Sequence, residues 1–114
     1  GDAAAGRSPH AALTGGSAYV LLEPVIVTIG SGATPRHLQF AAQLEVDEGV
    51  VQQAQMLTPR AVDVLHTYLR AVDPADVEDP AAMLRMRAQM LRRIQVVMGQ
   101  GVVRDLLVSE FILR

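Results

Sequence analysis

The side chains that could do acid–base or metal chemistry are few in this sequence and lie far apart. The three histidines, His10, His37 and His66, fall in three different segments, without the HExxH spacing that binds zinc on a helix. With no cysteine, the chain has neither a thiolate nucleophile nor a cysteine-ligated metal site. Asp63 and His66 are the one nearby acid–histidine pair worth testing for catalysis. We therefore predict no metal, no cofactor and no enzymatic activity.

The charged clusters and the two Gly-X-Gly sequences have structural explanations. Neither glycine pair is followed by the Lys-Ser/Thr of a phosphate loop, so we interpret them as a turn and a helix C-cap. The acids between positions 73 and 79 lack the central glycine of a calcium loop and predict a turn and an N-cap. Arg85, Arg92 and Arg93 point away from the apolar stripe of a predicted helix, whereas Arg87 lies inside it. Arg87 therefore either lays its stem along apolar surface or meets an acid or a partner chain.

The composition indicates one folded domain with an aliphatic core. The chain has 114 residues, half of them hydrophobic, but only 4% are aromatic and there is no tryptophan. The formal net charge of −2 does not provide the basic face that nucleic acid requires. No apolar run reaches the roughly 18 residues of a membrane span.

The N-terminal half predicts a linker followed by a β-hairpin. Gly1–Ala18 is rich in Gly, Ala, Ser and Pro and predicts a flexible tether, with the domain occupying 19–114. Tyr19–Ile29 predicts a strand that lies at a sheet edge or bulges at Pro24, because proline has no N–H for a ladder. Leu38–Val46 alternates apolar and polar residues, the period of a strand with one buried face. The short connection between the two strands favours antiparallel pairing.

The C-terminal half predicts three helical segments and a final strand. Asp47 caps a short helix to about residue 56, Thr58-Pro59 begins a second and Asp79-Pro80 begins the longest. In the last strand, Val102–Leu113, we expect Leu106 and Val108 to face opposite to Leu107, Ser109 and Phe111. Strands, then helices, then a strand predict an α+β fold, an antiparallel sheet with helices on one face.

Four stretches of the chain, in this order, resemble the FliL family of flagellar basal-body proteins, which are found beside the stator. They are Tyr19–Ile29, Leu38–Val46 with the acids that follow it, the helix around Pro59–Asp63 and Tyr68–Arg70, and the terminal Val103–Ile112. The terminal stretch is the most specific. Thr28 and Arg114 depart from the family's usual Asn and Gln, so a function of those side chains is not carried over.

This resemblance implies a periplasmic domain of an inner-membrane protein, similar to the stomatin-type (SPFH) fold. It also implies an N-terminal membrane span that would precede this chain, and self-association into rings. Such rings surround the stator, a complex of MotA-type and MotB-type subunits, and contact the MotB-type linker. The function implied is support of torque generation or swarming motility.

For the surface that binds partners or other copies, we predict one edge strand, part of a helix and the embedded arginine. The residues are Leu22, Val25, Val27, Arg60, Asp63 and Arg87. An apolar edge strand is a plausible surface for self-association because its backbone groups are unpaired. The alternative is a regulatory module that binds a small ligand between helices and sheet and has no connection with motility. A rise in melting temperature on ligand addition would identify it.

Overall fold

A computed structural model describes residues 13–30 and 34–114. The predicted α+β fold is confirmed: an antiparallel sheet carries helices on one face. The elements are β1 (Ser17–Leu21), β2 (Val25–Ile29), β3 (Arg36–Asp47), a 3₁₀ turn (Glu48–Val50), α1 (Val51–Arg70), α2 (Pro74–Val77), α3 (Pro80–Met98) and β4 (Val103–Leu113). In this part of the chain, no helix is both long and apolar enough to cross a membrane.

The long strand β3 forms the centre of the sheet. Both β1 and β2 pair with it, end to end along one side, and β4 pairs with its other side. The predicted interruption at Pro24 is confirmed, since β1 ends at Leu21 and β2 begins at Val25. The amide of Leu22 still donates to the Ala42 carbonyl at 3.1 Å, which keeps the two short strands in one line. The sheet is thus three strands wide, with β1 and β2 forming one edge and β4 the other.

Two β-bulges change the alternation of β4. Opposite β3, the register skips one β4 residue at Arg104 and another at Ser109. Leu106 and Val108 face the core as predicted, but the second bulge reverses the pattern after it. Phe111 therefore faces inward, contrary to the prediction, and its ring meets Phe40 edge-on at 5.6 Å between centroids.

Helix α1 is continuous, so the predicted break at Thr58-Pro59 is wrong. Pro59 cannot donate the hydrogen bond that would satisfy the Gln55 carbonyl four residues earlier. The Thr58 hydroxyl donates to that carbonyl at 3.0 Å and replaces the missing bond. The residue pair that resembles a helix start is therefore tolerated inside the helix. Asp47 does act as a cap, but of the 3₁₀ turn, by accepting from the Gly49 amide at 2.7 Å.

Helix α3 begins and ends as predicted, at the Asp79 cap and at Gly99, whose φ of 103° suits glycine. Its buried stripe is narrower than the apolar pattern of the sequence, because Leu84 is apolar but 69% exposed. The buried positions recur every four residues: Ala82, Met86, Met90, Ile94 and Met98. Tyr68 joins α1 to α3: its hydroxyl donates to the Gln89 side chain at 2.5 Å, and Arg93 lies over its ring. Burial raises the pKa of this tyrosine.

Candidate interaction surface

The edge formed by β1 and β2 carries three of the residues predicted to contact partners. Leu22, Val25 and Val27 are 4%, 0% and 5% exposed, because their side chains point into the core. The structure thus contradicts an interface made by these three side chains. Their neighbours Leu21 and Ile26 point the opposite way and are exposed. In a strand, a one-residue offset exchanges the buried face for the exposed face.

The outer face of the sheet is the side that the helices leave uncovered. Two rows of side chains cross all three strands: Leu21, Gln43 and Leu107 form one row, and Ile26, Gln39 and Ile112 form the other. The apolar members of both rows are exposed, as is Tyr19 near one end. Large exposed apolar side chains gathered on one face, instead of scattered singly, mark an interaction surface.

Charge on the outer face is distributed unevenly along the sheet. Gln39, Ala41 and Gln43 give the central strand a neutral middle, although Glu110 lies beside Ala41 on β4. Glu45 and Asp105 stand opposite each other at one end. Protein interfaces commonly have a centre depleted of charge and a polar rim. With Glu110 as the exception, the outer face has this distribution.

The first part of the β4 edge, from Val103 to Leu106, is closed by side chains, and Arg87 is one of them. Its Nη1 donates to Asp105 Oδ1 at 2.7 Å and to the Leu106 carbonyl at 3.2 Å, and Asp105 Oδ1 accepts from the Leu106 amide at 2.8 Å. Farther along, the Gln95 side chain donates to the Val103 carbonyl at 3.0 Å. These bonds occupy backbone groups that an added strand would need. Of the two possibilities for Arg87, the structure shows the contact with an acid of its own chain.

Arg60 and Asp63 are exposed on α1, where they are available to a partner. Asp63 lines a depression of about 460 Å³ beside the break between β1 and β2, together with His66, Glu23 and Leu21. Through Leu21, this depression adjoins the outer face. It opens to solvent, and the space between the helices and the sheet is filled by core side chains.

A buried carboxylate at the end of the sheet was not anticipated beyond its capping role. Asp47 is 1% exposed, and the Arg104 guanidinium lies 2.5 Å from its Oδ2. Donation by the Thr14 amide is the largest cause that lowers its pKa, and the amides of Gly49 and Gly15 add to it. Against the opposing effect of burial, they bring the pKa to about 2. No local sequence pattern marks this site, because Asp47 and Arg104 are 57 positions apart.

This site includes residues that were predicted to belong to the tether. Gly1–Ala18 was predicted to be a flexible tether, but β1 begins at Ser17, and Thr14 and Gly15 donate to Asp47. Residues 1–12 of the predicted tether lie outside the described residues, as does His10. Within 13–30 and 34–114, no group of three potential metal ligands is close enough to hold an ion.

Comparison with known proteins supplies what geometry alone does not. A family described as "Flagellar basal body-associated protein FliL" matches residues 19–113. The chain belongs to the FliL family. It is also similar to "Flagellar protein FliL" of Aquifex aeolicus (strain VF5), with 23% identity over 100 residues that cover 87% of this chain and 62% of the relative. The chain thus spans about three-fifths of the length of that relative.

Membership of the FliL family confirms the resemblance drawn from the four sequence stretches. The description of this family places its members at the flagellar basal body. The matched range contains nearly all of the sheet and every helix of the described residues, so the outer face belongs to the FliL domain. Thr14, Gly15 and Gly16 precede the matched range.

Proposed function

We propose that this chain is the periplasmic domain of a flagellar motor component that associates with the stator and with further copies of itself. The observation that carries the proposal is the open outer face of a domain whose family is basal-body-associated. The partner is the periplasmic linker of a MotB-type subunit in a stator that also contains MotA-type subunits. The association supports torque generation or swarming motility.

The outer face is large enough for such a role. With 12 residues in β3 and three strands, it measures roughly 40 by 14 Å, or about 600 Å². Two surfaces of this size bury about 1,200 Å², the lower end of the range for specific protein interfaces. Asp63 and Arg60 extend this surface onto α1, and Arg87 acts indirectly by keeping the β4 edge closed.

Ring formation and the membrane anchor are further parts of the proposal. The family resemblance supports a stomatin-type (SPFH) arrangement in which copies associate side by side in a ring. The full-length protein is held at the inner membrane by a span on the N-terminal side of this domain. The greater length of the Aquifex relative is compatible with such a segment.

A binding measurement with matched surface variants tests this proposal. The domain is titrated against the purified periplasmic linker of a MotB-type subunit, and light scattering follows self-association. Leu21→Asp places a charge on the outer face, and Leu84→Asp is its control on α3, since the two leucines are 72% and 69% exposed. We expect Leu21→Asp to weaken binding or assembly about tenfold or more, and Leu84→Asp to leave both unchanged.

Two outcomes would count against the proposal. Equal effects of Leu21→Asp and Leu84→Asp would remove the outer face as the interface. A strict monomer that does not bind the linker would refute the association itself. In that case the small-ligand module is tested next, by screening ligands for a rise in melting temperature.

A further inference from the structure

Asp47 lies where the N-terminal segment enters the sheet, and most of its hydrogen bonds come from that segment. The Thr14 amide donates to both carboxylate oxygens at 2.9 and 3.1 Å, and the Thr14 hydroxyl donates to Oδ1 at 3.2 Å. The Gly15 amide donates to Oδ2 at 2.8 Å. Asp47 also accepts a hydrogen bond from the Gly49 amide in the 3₁₀ turn that it caps. The N-terminal segment therefore supplies most of the hydrogen bonds that compensate this buried charge.

Arg104 joins the same segment to the far side of the sheet. It is the extra residue of the first β4 bulge, and its guanidinium reaches Asp47 at the end of β3. Its Nη1 also lies 3.3 Å from the Gly16 carbonyl and 3.0 Å from the Ser17 hydroxyl, as a donor to both. One side chain thus contacts the carboxylate and the backbone of the segment that the carboxylate holds.

We propose that Asp47 and Arg104 form a clamp that locks residues 14–17 onto the end of the sheet. Residues 14–17 are then a fixed part of the domain, not a flexible joint before Tyr19. The clamp involves residues before the range matched by the FliL family, and it does not depend on the proposed function.

The physical reason for a clamp is the burial of Asp47. A buried carboxylate is costly unless hydrogen bonds and an opposite charge compensate it. If residues 14–17 detached, Asp47 would lose the Thr14 and Gly15 donors and Arg104 would lose its contacts with Gly16 and Ser17. Further bonds oppose detachment, since the Glu48 amide donates to the Gly16 carbonyl at 3.0 Å and the Ser17 hydroxyl donates to Glu45 at 2.8 Å. The segment is held from several directions at once.

Amide hydrogen exchange on the full 114-residue chain tests the clamp. The variants are Arg104→Gln and, as a control, Arg36→Gln, whose salt bridge to Glu78 is longer, at 3.6 Å, and exposed. Exchange is read at Thr14 and Gly15, and at Met90 in the core of α3 as a reporter of global opening. In Arg104→Gln we expect exchange at Thr14 and Gly15 to accelerate about tenfold to a hundredfold. This factor corresponds to the stability that a hydrogen bond between charged groups contributes. Exchange at Met90 should accelerate much less. Arg36→Gln should change exchange neither at Thr14 and Gly15 nor at Met90.

The proposal is overturned if Arg104→Gln leaves exchange at Thr14 and Gly15 unchanged. It is also overturned if Thr14, Gly15 and Met90 accelerate by the same factor, because the pair would then contribute only to global stability. Arg104→Lys is a second test, since lysine keeps the charge but cannot reach all the acceptors that a guanidinium fork reaches. We expect it to restore part of the protection, and full restoration would show that charge alone suffices and that the bridging geometry is irrelevant.

Discussion

Replacing Leu106 by aspartate tests the central claim about β4, that this residue faces the core. Leu106 is 0% exposed and stands opposite Leu44, which is also fully buried. Loss of a buried leucine costs about 2–5 kcal/mol, and an uncompensated buried charge costs about 3–5 kcal/mol more. The sum, roughly 5–10 kcal/mol, is comparable with the whole stability of a domain, about 5–15 kcal/mol. We therefore expect Leu106→Asp to abolish cooperative folding.

The matched control is the next residue in the strand. Leu107 is 38% exposed and points to the outer face, so Leu107→Asp should cost about 1 kcal/mol or less. Thermal melts by circular dichroism and urea titrations of both variants measure the difference. A cooperative melt of Leu106→Asp near that of the parent chain would show that the inward face of β4 is misassigned. Equal destabilisation by both variants would show that the outer face is covered.

Two further predictions concern Asp47 and Pro59. The pKa of Asp47 is about 2 in the folded chain and near its ordinary 3.8 when unfolded, so the unfolded chain binds more protons between these values. The stability contributed by its ionised form is complete above about pH 4 and is lost as the pH falls towards 2. Urea titrations at several pH values should show the free energy of unfolding falling over this range, and Asp47→Asn should make that fall smaller. Pro59→Ala should stabilise the chain by about 1–3 kcal/mol, because it removes the poor fit of a proline ring inside a helix and lets a backbone amide take over from the Thr58 hydroxyl as donor to the Gln55 carbonyl. A lower urea midpoint for that variant would mean that stiffening of the unfolded chain by Pro59 outweighs the missing bond.

Local sequence patterns were sufficient to predict the fold class and most elements. Alternation identified β3, and the Asp79-Pro80 cap identified the start of α3, because both signals depend on residues within a few positions of each other. The break predicted at Pro59 was wrong for the same reason. The pair Thr58-Pro59 has the composition of a helix start, and only the bond from Thr58 to the Gln55 carbonyl distinguishes it from one.

The candidate surface was harder to predict, because it depends on which of the two alternating sets of side chains in each strand faces the helices. In β1 and β2 every second residue is apolar on the buried side, but Leu21 and Ile26 are apolar on the exposed side as well. A strand that is apolar on both sides does not reveal its orientation from sequence alone. In β4 the bulge at Ser109 adds one residue and reverses the faces beyond it, so even a correct assignment at Leu106 does not extend to Phe111.

The Asp47 site shows what no local pattern contains. Asp47 and Arg104 are 57 positions apart, and Thr14 precedes Asp47 by 33. The sequence shows an N-cap aspartate, an arginine in a strand and a glycine-containing segment, and each has an ordinary explanation by itself. They meet because the bulge at Arg104 redirects its side chain across the sheet towards the end of β3. The same composition that predicts a flexible linker, small residues with free backbone amides, is what allows residues 14–16 to wrap closely around a carboxylate. The docking of residues 14–16 onto the sheet is therefore explained by a buried charge that needs donors, and not by the composition of the segment that provides them.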